Sequence, residues 1–320
     1  MKILGGRNPH FSTVRSFADD TRVSKAIKSE EDCLYLQADL ESIYEWSRTS
    51  NMTFNSDKFE LMRYSVHGCP IEFTYKTSEN TEIIATTKTT DLGVVMNNSA
   101  AFTEQVSAAA SRSRGRMGWI FRVFATRDQL PLMTLFRSLV LPLLEYCCQL
   151  WSPGTLGLIR QLEGVQRTFT HRISGMSGYS YWERLQHLKL YSLERRRERY
   201  VIIYTWKILQ NLVPNFEGAM KIESRISERR GKMCVLPPNR GRSTARIQTL
   251  RESSLAVNGP RLFNCLPSEV RNCEGTIEGF KRKLDIYLRT VPDKPCLPSY
   301  YQSADSNSII KQISHMRNLV

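Results

Sequence analysis

The spacing of apolar residues changes near Thr103, and this change constrains the fold of the 320-residue chain more than any other feature. From Thr103 to Leu212 apolar residues recur at three- and four-residue intervals, a spacing typical of amphipathic helices. Before Thr103, short alternating segments surround a single stretch of helical period. The pattern therefore predicts an α+β protein, with a mixed segment over residues 1–100 and a mainly helical domain over residues 101–213.

The helical domain begins with "FTEQVSAAASRSRGRMGWIFRVF", an Ala-rich and strongly basic helix. A second helix, "QLPLMTLFRSLVLPLLEYCCQLW", is apolar almost all round, and Pro142 is expected to kink it because proline lacks a backbone N–H. Ser180 and Glu183 have the spacing of a capping box at the start of a further helix. The third helix, "GLIRQLEGVQRTFTHRI", places five apolar residues on one face: Ile159, Leu162, Val165, Phe169 and Ile173.

The first hundred residues are predicted to run hairpin, helix, strand, strand. Residues 11–18 and 21–27 alternate around the pair Asp19 and Asp20, which would lie at the tip of a hairpin. Ser29 followed by acidic residues predicts a helix start. The segments "MTFNSDKFELMRYS" and "TEIIATTKTTDLGVVMN" then indicate strands, separated by a loop around "HGCP".

The sequence after residue 213 is richer in Gly, Pro and Arg and predicts a basic segment over residues 214–292, with a small amount of α/β structure. "RRGKMCVLPPNRGRSTARI" indicates a loop or irregular hairpin, and "RLFNCLPSEVR" a short turn-rich piece. "TIEGFKRKLDIYLRTV" predicts a helix because Phe280, Leu284 and Leu288 align on one face. Prolines between positions 292 and 298 predict a poorly ordered tail over residues 293–320.

The net charge of +14 is unevenly distributed. Residues 1–110 contain 11 Lys+Arg and 15 Asp+Glu, whereas residues 111–200 contain 15 and 6, and residues 201–320 contain 19 and 10. Clustered positive charge favours a polyanionic partner, because Lys and Arg release the counterions condensed on phosphates. The alternative is a basic surface that only keeps the protein soluble.

Cysteine and histidine usage excludes the common metal and redox motifs. The eight cysteines form no C-x-x-C pair, and the five histidines stand apart from them, so we expect free thiols and no zinc site. There is no apolar run long enough for a membrane span or a signal peptide. These features predict an intracellular protein with no membrane partner, cytoplasmic or nuclear.

Asp19 and Asp20 are the first candidates for chemistry. Neighbouring carboxylates at a hairpin tip can hold Mg²⁺, which prefers oxygen ligands and keeps water molecules that substrate phosphates can replace. Taken alone, the pair favours a solvated turn over a metal site.

The surrounding sequence extends this interpretation. "FADDT", the helix "DC..LQADLESIYEWS", "MTFNSDKFELMRY" and "TTDLGVVM" resemble the end of the palm of reverse transcriptases from non-LTR (LINE-type) retrotransposons. "LVLPLLEYCCQLWSP", "LEGVQRTFTHRISG", "GPRLFNCLP" and "FKRKLDIYLRTVPDKP" resemble thumb and C-terminal segments of jockey-like elements. The resemblance covers essentially the whole chain and implies a partial palm, a helical thumb and a C-terminal segment.

This resemblance implies roles for individual residues. Asp19 would be the principal metal ligand and Asp20 its partner, Phe17 would pack beside the primer end, and Lys58 would match a proposed proton donor to pyrophosphate. An exposed strand-end lysine is an equal alternative for Lys58. The turn Leu92-Gly93 resembles the primer-grip hairpin. The thumb would contact the phosphates of RNA or of an RNA/DNA template-primer through its arginines, for which we single out Arg112, Arg114, Arg116 and Arg167.

The sequence also departs from the family pattern. Residues 1–18 contain no Asp or Glu, so the third palm aspartate is missing, and they are too few to form a fingers domain. We therefore expect a truncated RNA-directed DNA polymerase that binds Mg²⁺ weakly or not at all and cannot polymerise alone. A repurposed nucleic-acid-binding or protein-interaction module is the alternative, and an enzyme completed by a partner in trans is a third. The oligomeric state is not predicted.

Two further groups allow two interpretations each. The tryptophans on predicted helices could stack on bases, although core packing is the favoured interpretation: Trp119, Trp151, Trp182 and Trp206. The arginine run at positions 195–199 could bind phosphate, although Glu194 and Glu198 would partly neutralise it.

Overall fold

The computed structural model describes residues 11–55, 58–65, 71–215, 220–223, 231–238, 244–294 and 307–318. The chain forms two compact units, Met1–Ala101 and Phe102–Val320. Helices and small sheets are both present, in agreement with the predicted α+β class.

The N-terminal unit begins with the predicted hairpin. Strands β1 (Thr13–Phe17) and β2 (Asp20–Ser24) pair antiparallel, with Phe17 opposite Asp20. Helix α1 (Glu30–Thr49) follows, and the Ser29 side chain accepts a hydrogen bond from the backbone N–H of Asp32. The predicted helix start is thereby confirmed.

The strands after α1 are shorter than predicted. Strand β3 (Leu61–Met62) pairs in parallel with β4 (Ala85–Thr86), and β5 (Lys88–Asp91) pairs antiparallel with β6 (Val94–Asn97). The apolar side chains of this region pack against α1 around Cys33 without a continuous ladder of backbone hydrogen bonds. The alternation of apolar and polar residues therefore indicated which side chains are buried, and it did not indicate long strands. The loop around "HGCP" lies outside the described residues.

The first helices of the C-terminal unit follow the predicted pattern, with one difference. Helix α2 (Thr103–Val123) is continuous, whereas the second predicted helix consists of α3 (Gln129–Leu135), a π-helical turn (Phe136–Val140) and α4 (Leu141–Glu145). The wide turn immediately precedes Pro142, which cannot donate the hydrogen bond of a regular helix. Cys147, with a φ of 52°, then ends the helix before the short α5 (Cys148–Trp151).

The next three helices lie in the predicted helical domain, and the first two were predicted individually from periodicity and from a capping box. They are α6 (Leu156–His171), α7 (Tyr181–His187) and α8 (Leu193–Leu209). Ser180 and Glu183 form the predicted capping box of α7. The apolar face of α6 is buried, and the Phe169 ring lies 4.7 Å from that of Phe136 and 5.1 Å from that of Phe121.

Beyond residue 213 the structure differs from the prediction of a small α/β segment. Helices make up most of this region: α9 (Ala245–Ser253), α10 (Leu255–Cys265), α11 (Ser268–Arg271) and α12 (Ile277–Leu288). Between described residues, its β pairing is a single bridge joining Ile222 and Cys234. The predicted turn-rich piece contains the end of α10 and all of α11, and α10 is anchored where Gly259 packs against Thr205 of α8. Part of the predicted basic loop lies outside the described residues.

The prediction of a poorly ordered tail does not hold for residues 307–318. Helix α13 (Ile309–Asn318) buries Ile309 and Ile313 in a core shared with α8, α10 and α12. The backbone N–H of Lys294 donates to Asn307 Oδ1 at 2.8 Å, so residues 294 and 307 are adjacent. This core runs across residue 213, where the sequence predicted a boundary.

Candidate nucleic-acid interface

The aspartate hairpin has a two-residue loop formed by Ala18 and Asp19. Ala18 has a φ of 52°, as the first central residue of such a hairpin loop requires. Asp19 and Asp20 are exposed, and Phe17 is 68% exposed. The hairpin therefore presents two carboxylates and an aromatic ring to solvent.

A second hairpin lies against the first. Leu92 and Gly93 form the loop between β5 and β6 with φ angles of 45° and 78°, which are typical of a type I′ turn. Asp91, immediately before this loop, forms an ion pair with Arg22 of β2. The ion pair thus joins the aspartate hairpin to the hairpin that resembles a primer grip. The sequence analysis did not identify this contact.

The residues around Asp19 and Asp20 do not amount to a metal cage. Within the described ranges, no three Asp, Glu, His or Cys residues converge in a way that could hold a metal ion. Lys58 is exposed, and neither a hydrogen bond nor an ion pair to either aspartate is found for it in the described part of the chain. Its sequence neighbour Asp57 lies outside the described residues. Two carboxylates alone fit a tightly held Mg²⁺ poorly.

Helix α2 carries the clearest basic surface. Arg112 and Arg116 are exposed and one helical turn apart, and Trp119 and Val123 continue the same face at helical spacing. The Arg116 guanidinium lies 5.7 Å from the centroid of the Trp119 ring, which is 39% exposed. Cations interleaved with an exposed aromatic ring are a feature of surfaces that bind single-stranded nucleic acid.

The other two predicted arginines lie elsewhere in this unit. Arg114 is about half a turn from Arg112, and its guanidinium donates to the backbone carbonyl of Gln161 on α6 at 3.3 Å. Arg167 is on α6 and lines a cavity beside α7. The four arginines therefore do not form one continuous surface, and Arg112 and Arg116 are the two that share a face.

The arginine run on α8 does not present a phosphate-binding surface. Arg195 is fully buried and donates to the carbonyls of Leu288, Val291 and Pro292 at the end of α12. Arg196 pairs with Glu145, and Arg199 pairs with Asp285 through contacts of 2.5 and 2.7 Å.

Arg197 is also buried, and its guanidinium donates to the carbonyl of Leu144. Trp151 and Trp206 are buried as well, which confirms the core interpretation for these two tryptophans. Trp182 is half-buried, with the Lys294 ammonium 5.2 Å from its ring centroid.

Two buried carboxyls on α6 and α8 were not expected from the sequence. Glu163 accepts hydrogen bonds from the Tyr181 hydroxyl at 2.5 Å and the backbone N–H of Leu193 at 2.9 Å. Glu198 accepts from Ser308 and the backbone N–H of Ile309 at the start of α13. Burial raises the pKa of each carboxyl to about 8. Their donors join separate helices, which indicates a structural role.

The cysteines in the described ranges are free, as expected. Burial raises the pKa of Cys148 to about 12 and that of Cys234 to about 11, so these thiols stay protonated and are poor nucleophiles. In the described portion of the chain, no helix combines the length and apolar character needed to span a membrane.

Comparison with known proteins gives one relationship. The "Probable RNA-directed DNA polymerase from transposon X-element" of Drosophila melanogaster is 23% identical to this chain over 168 residues. The matched region is 51% of this chain and 18% of that protein, so the chain spans only a small part of its relative. No protein-family model and no solved structure matches. The match supports a relationship between this chain and the RNA-directed DNA polymerases of transposons.

Proposed function

We propose that this chain is a reverse-transcriptase-related protein that binds RNA or RNA/DNA duplex through the exposed face of α2. The observation that carries the proposal is the row Arg112, Arg116, Trp119 and Val123 on one side of that helix. Arginines neutralise backbone phosphates, and an exposed indole can stack on a base. The similarity to a transposon polymerase supports the same type of partner.

The two hairpins of the N-terminal unit are proposed to correspond to the metal turn and the primer grip of a palm. Their contact through Arg22 and Asp91 supports this assignment, since the two hairpins of a palm would have to meet near the primer end. Asp19 and Asp20 would supply two carboxylates to a divalent ion when one is bound. The role of Lys58 as a proton donor to pyrophosphate stays a prediction.

Catalysis by the 320 residues alone is not expected. Phosphoryl transfer with two ions requires each ion to be held in place, and the described residues offer only the two exposed carboxylates. We expect no primer extension with Mg²⁺ or Mn²⁺ and all four nucleotides. Extension that disappears in the Asp19→Ala, Asp20→Ala variant would overturn this expectation.

Binding can be tested through its salt dependence with the full chain. Each neutralised phosphate adds about 0.9 to the slope of log affinity against log salt for duplex DNA and about 0.7 for single strands. The Arg112→Gln, Arg116→Gln variant should bind more weakly with a slope smaller by about 1 to 2. The control is Arg137→Gln, Lys283→Gln, which removes two exposed charges from other helices.

A protein-interaction module is the second candidate. Leu130 on α3 is 80% exposed, and Val123 at the end of α2 is 56% exposed, so this unit also presents apolar area to solvent. Equal slopes for wild type, variant and control would show that the α2 arginines contact no phosphate. That outcome would favour a protein partner for the same face.

A further inference from the structure

A cavity of about 640 Å³ lies between the C-terminal part of α6 and the start of α7. Four side chains that carry or can carry positive charge line it, together with Gly164 and five residues that bear hydroxyl groups. The cationic residues are Arg167, His171, Arg172 and Arg184, and the hydroxyl residues are Thr168, Ser177, Tyr179, Ser180 and Tyr181. A volume of this size is within the range of small-molecule sites, which runs from about 300 to 1,000 Å³.

Arg184 forms the floor of the cavity. It is 3% exposed, and its guanidinium donates to the Tyr179 carbonyl at 2.7 Å, the Thr170 hydroxyl at 3.3 Å and the Arg167 carbonyl at 3.4 Å. These bonds join α6 to the loop over residues 172–180 and to α7. The lining is therefore held in place before any ligand arrives, which reduces the ordering cost of binding.

Apart from Arg184, the cationic residues of the lining have no carboxylate partner in the described part of the chain. The ion pairs found there include none to Arg167, His171 or Arg172. Arg172 lies over the Phe121 ring, 4.9 Å from its centroid, which positions the side chain without neutralising it. Glu183, a nearby acid, is held by the backbone N–H of Ser180 at 2.7 Å in the capping box.

An aromatic pair stands at the rim of the cavity. The rings of Tyr179 and His187 lie 4.3 Å apart between centroids, and Tyr179 is 40% exposed. The site thus combines unpaired cations, hydroxyl donors and an exposed ring within one concave surface. This combination suits a ligand with a compact anion at one end and a planar group at the other.

We propose that this cavity binds a phosphomonoester, such as the terminal phosphate of a nucleotide or of a polynucleotide 5′ end, with the adjoining base against Tyr179. A phosphomonoester carries about 1.5 to 2 negative charges near neutral pH, more than the single charge of a backbone diester, and three oxygens that accept hydrogen bonds. The polynucleotide source rests on the proposed function, whereas the nucleotide source does not.

The deciding experiment is calorimetric titration of the full chain with adenosine monophosphate and with adenosine. We expect the monophosphate to bind at least about tenfold more tightly, because charge-assisted hydrogen bonds to phosphate contribute more than neutral ones. Inorganic phosphate should compete. Equal affinity for the two ligands would overturn the proposal.

Variants of the cavity arginines test whether the phosphate is bound in the cavity. Arg167→Gln combined with Arg172→Gln should abolish the preference for the monophosphate with an unchanged circular-dichroism spectrum. Arg137→Gln combined with Lys283→Gln removes two exposed charges outside the cavity and should leave the preference intact. A preference that survives the cavity variant would also overturn the assignment, since the phosphate would then be bound elsewhere.

Two oligonucleotides of one sequence, with a 5′ phosphate or a 5′ hydroxyl, identify the source of the ligand. A preference for the phosphorylated strand that is lost in the cavity variant assigns the site to polynucleotide ends. Monophosphate binding without such a preference assigns it to free nucleotides. If neither strand binds while the monophosphate does, the proposed function fails and the cavity assignment stands.

Discussion

Helices α2 and α8 each carry a cluster of arginines within the same unit, at positions 112–122 and 195–199. On α2 the arginines at positions 112, 116 and 122 are exposed, whereas on α8 they are buried or paired with Glu145, Asp285 and backbone carbonyls. Arginine is thus a solvent-facing cation in one helix and a connector between helices in the other. Basic composition alone does not distinguish a ligand-binding face from an internal hydrogen-bond network.

The largest expected effect comes from the buried connector. Arg195→Ala would leave the carbonyls of Val291 and Pro292 without their donor and the Leu288 carbonyl with only the Val291 N–H, and each buried unsatisfied acceptor costs about 1 to 3 kcal/mol. We expect the free energy of unfolding to fall by about 3 kcal/mol or more. Urea denaturation measures this change.

The matched substitution on α2 is Arg112→Ala, which should change the free energy of unfolding by about 0.5 kcal/mol or less because the side chain is exposed. Similar losses for Arg195→Ala and Arg112→Ala would remove the contrast between the two helices.

The next effect is the pH dependence of stability that arises from two buried carboxyls, Glu163 on α6 and Glu198 on α8. Burial raises the pKa of Glu163 and Glu198 to about 8, above the 4.5 of an unperturbed glutamate. Between these two values the folded chain binds more protons than the unfolded chain, so stability should fall as pH rises from about 4.5 to 8 and then level off.

Urea denaturation at pH 5, 7 and 9 tests whether stability falls as pH rises. Glu163→Gln keeps the hydrogen-bonding shape but cannot ionise, and it should flatten the profile. Glu269→Gln, at an exposed position, is the control. A stability that rises with pH over this window would show that both carboxyls are ionised in the fold.

A smaller effect is expected for the ion pair between Arg199 and Asp285. Both side chains are partly exposed, at 18% and 29%, and the contact is bidentate. A double-mutant cycle with Arg199→Gln and Asp285→Asn should give a coupling of about 1 kcal/mol, larger than for a fully exposed pair. A coupling near zero would mean that α8 and α12 are joined by apolar contacts alone.

The smallest effect belongs to the N-terminal unit. The pair of Arg22 and Asp91 is 55% and 33% exposed, so its coupling should be about 0.5 kcal/mol or less and should vanish in high salt. The same double-mutant cycle, with Arg22→Gln and Asp91→Asn, measures it. A coupling as large as that of Arg199 with Asp285 would show that the two hairpins are held by more than a surface contact.

The sequence predicted the elements whose signals are local. The periodicity of α2, α6 and α12, the cap at Ser29 and the capping box at Ser180 all depend on residues within a few positions of one another. The hairpin around Asp19 and Asp20 was predicted for the same reason. Local propensity and hydrophobic spacing were sufficient for these elements.

The features that sequence analysis missed depend on distant partners. Arg195 and its acceptor Pro292 are 97 positions apart, and Arg199 and Asp285 are 86 apart, so nothing near the arginine run indicated that it would be buried. Helix α13 was missed because the prolines before it dominated the interpretation of the tail, although Ile309 and Ile313 have helical spacing. The cavity beside α7 is formed by two helices and the loop between them.

The contact between Lys294 and Asn307 brings the chain back to the point where it left the core. The twelve residues from 295 to 306 therefore connect two neighbouring positions, and the entropy of closing such a connection grows only slowly with its length. Natural variation in the length of this connection should be tolerated. A pair of fluorescent labels at Lys294 and Ser314, both exposed, would report whether α13 stays docked as the protein unfolds.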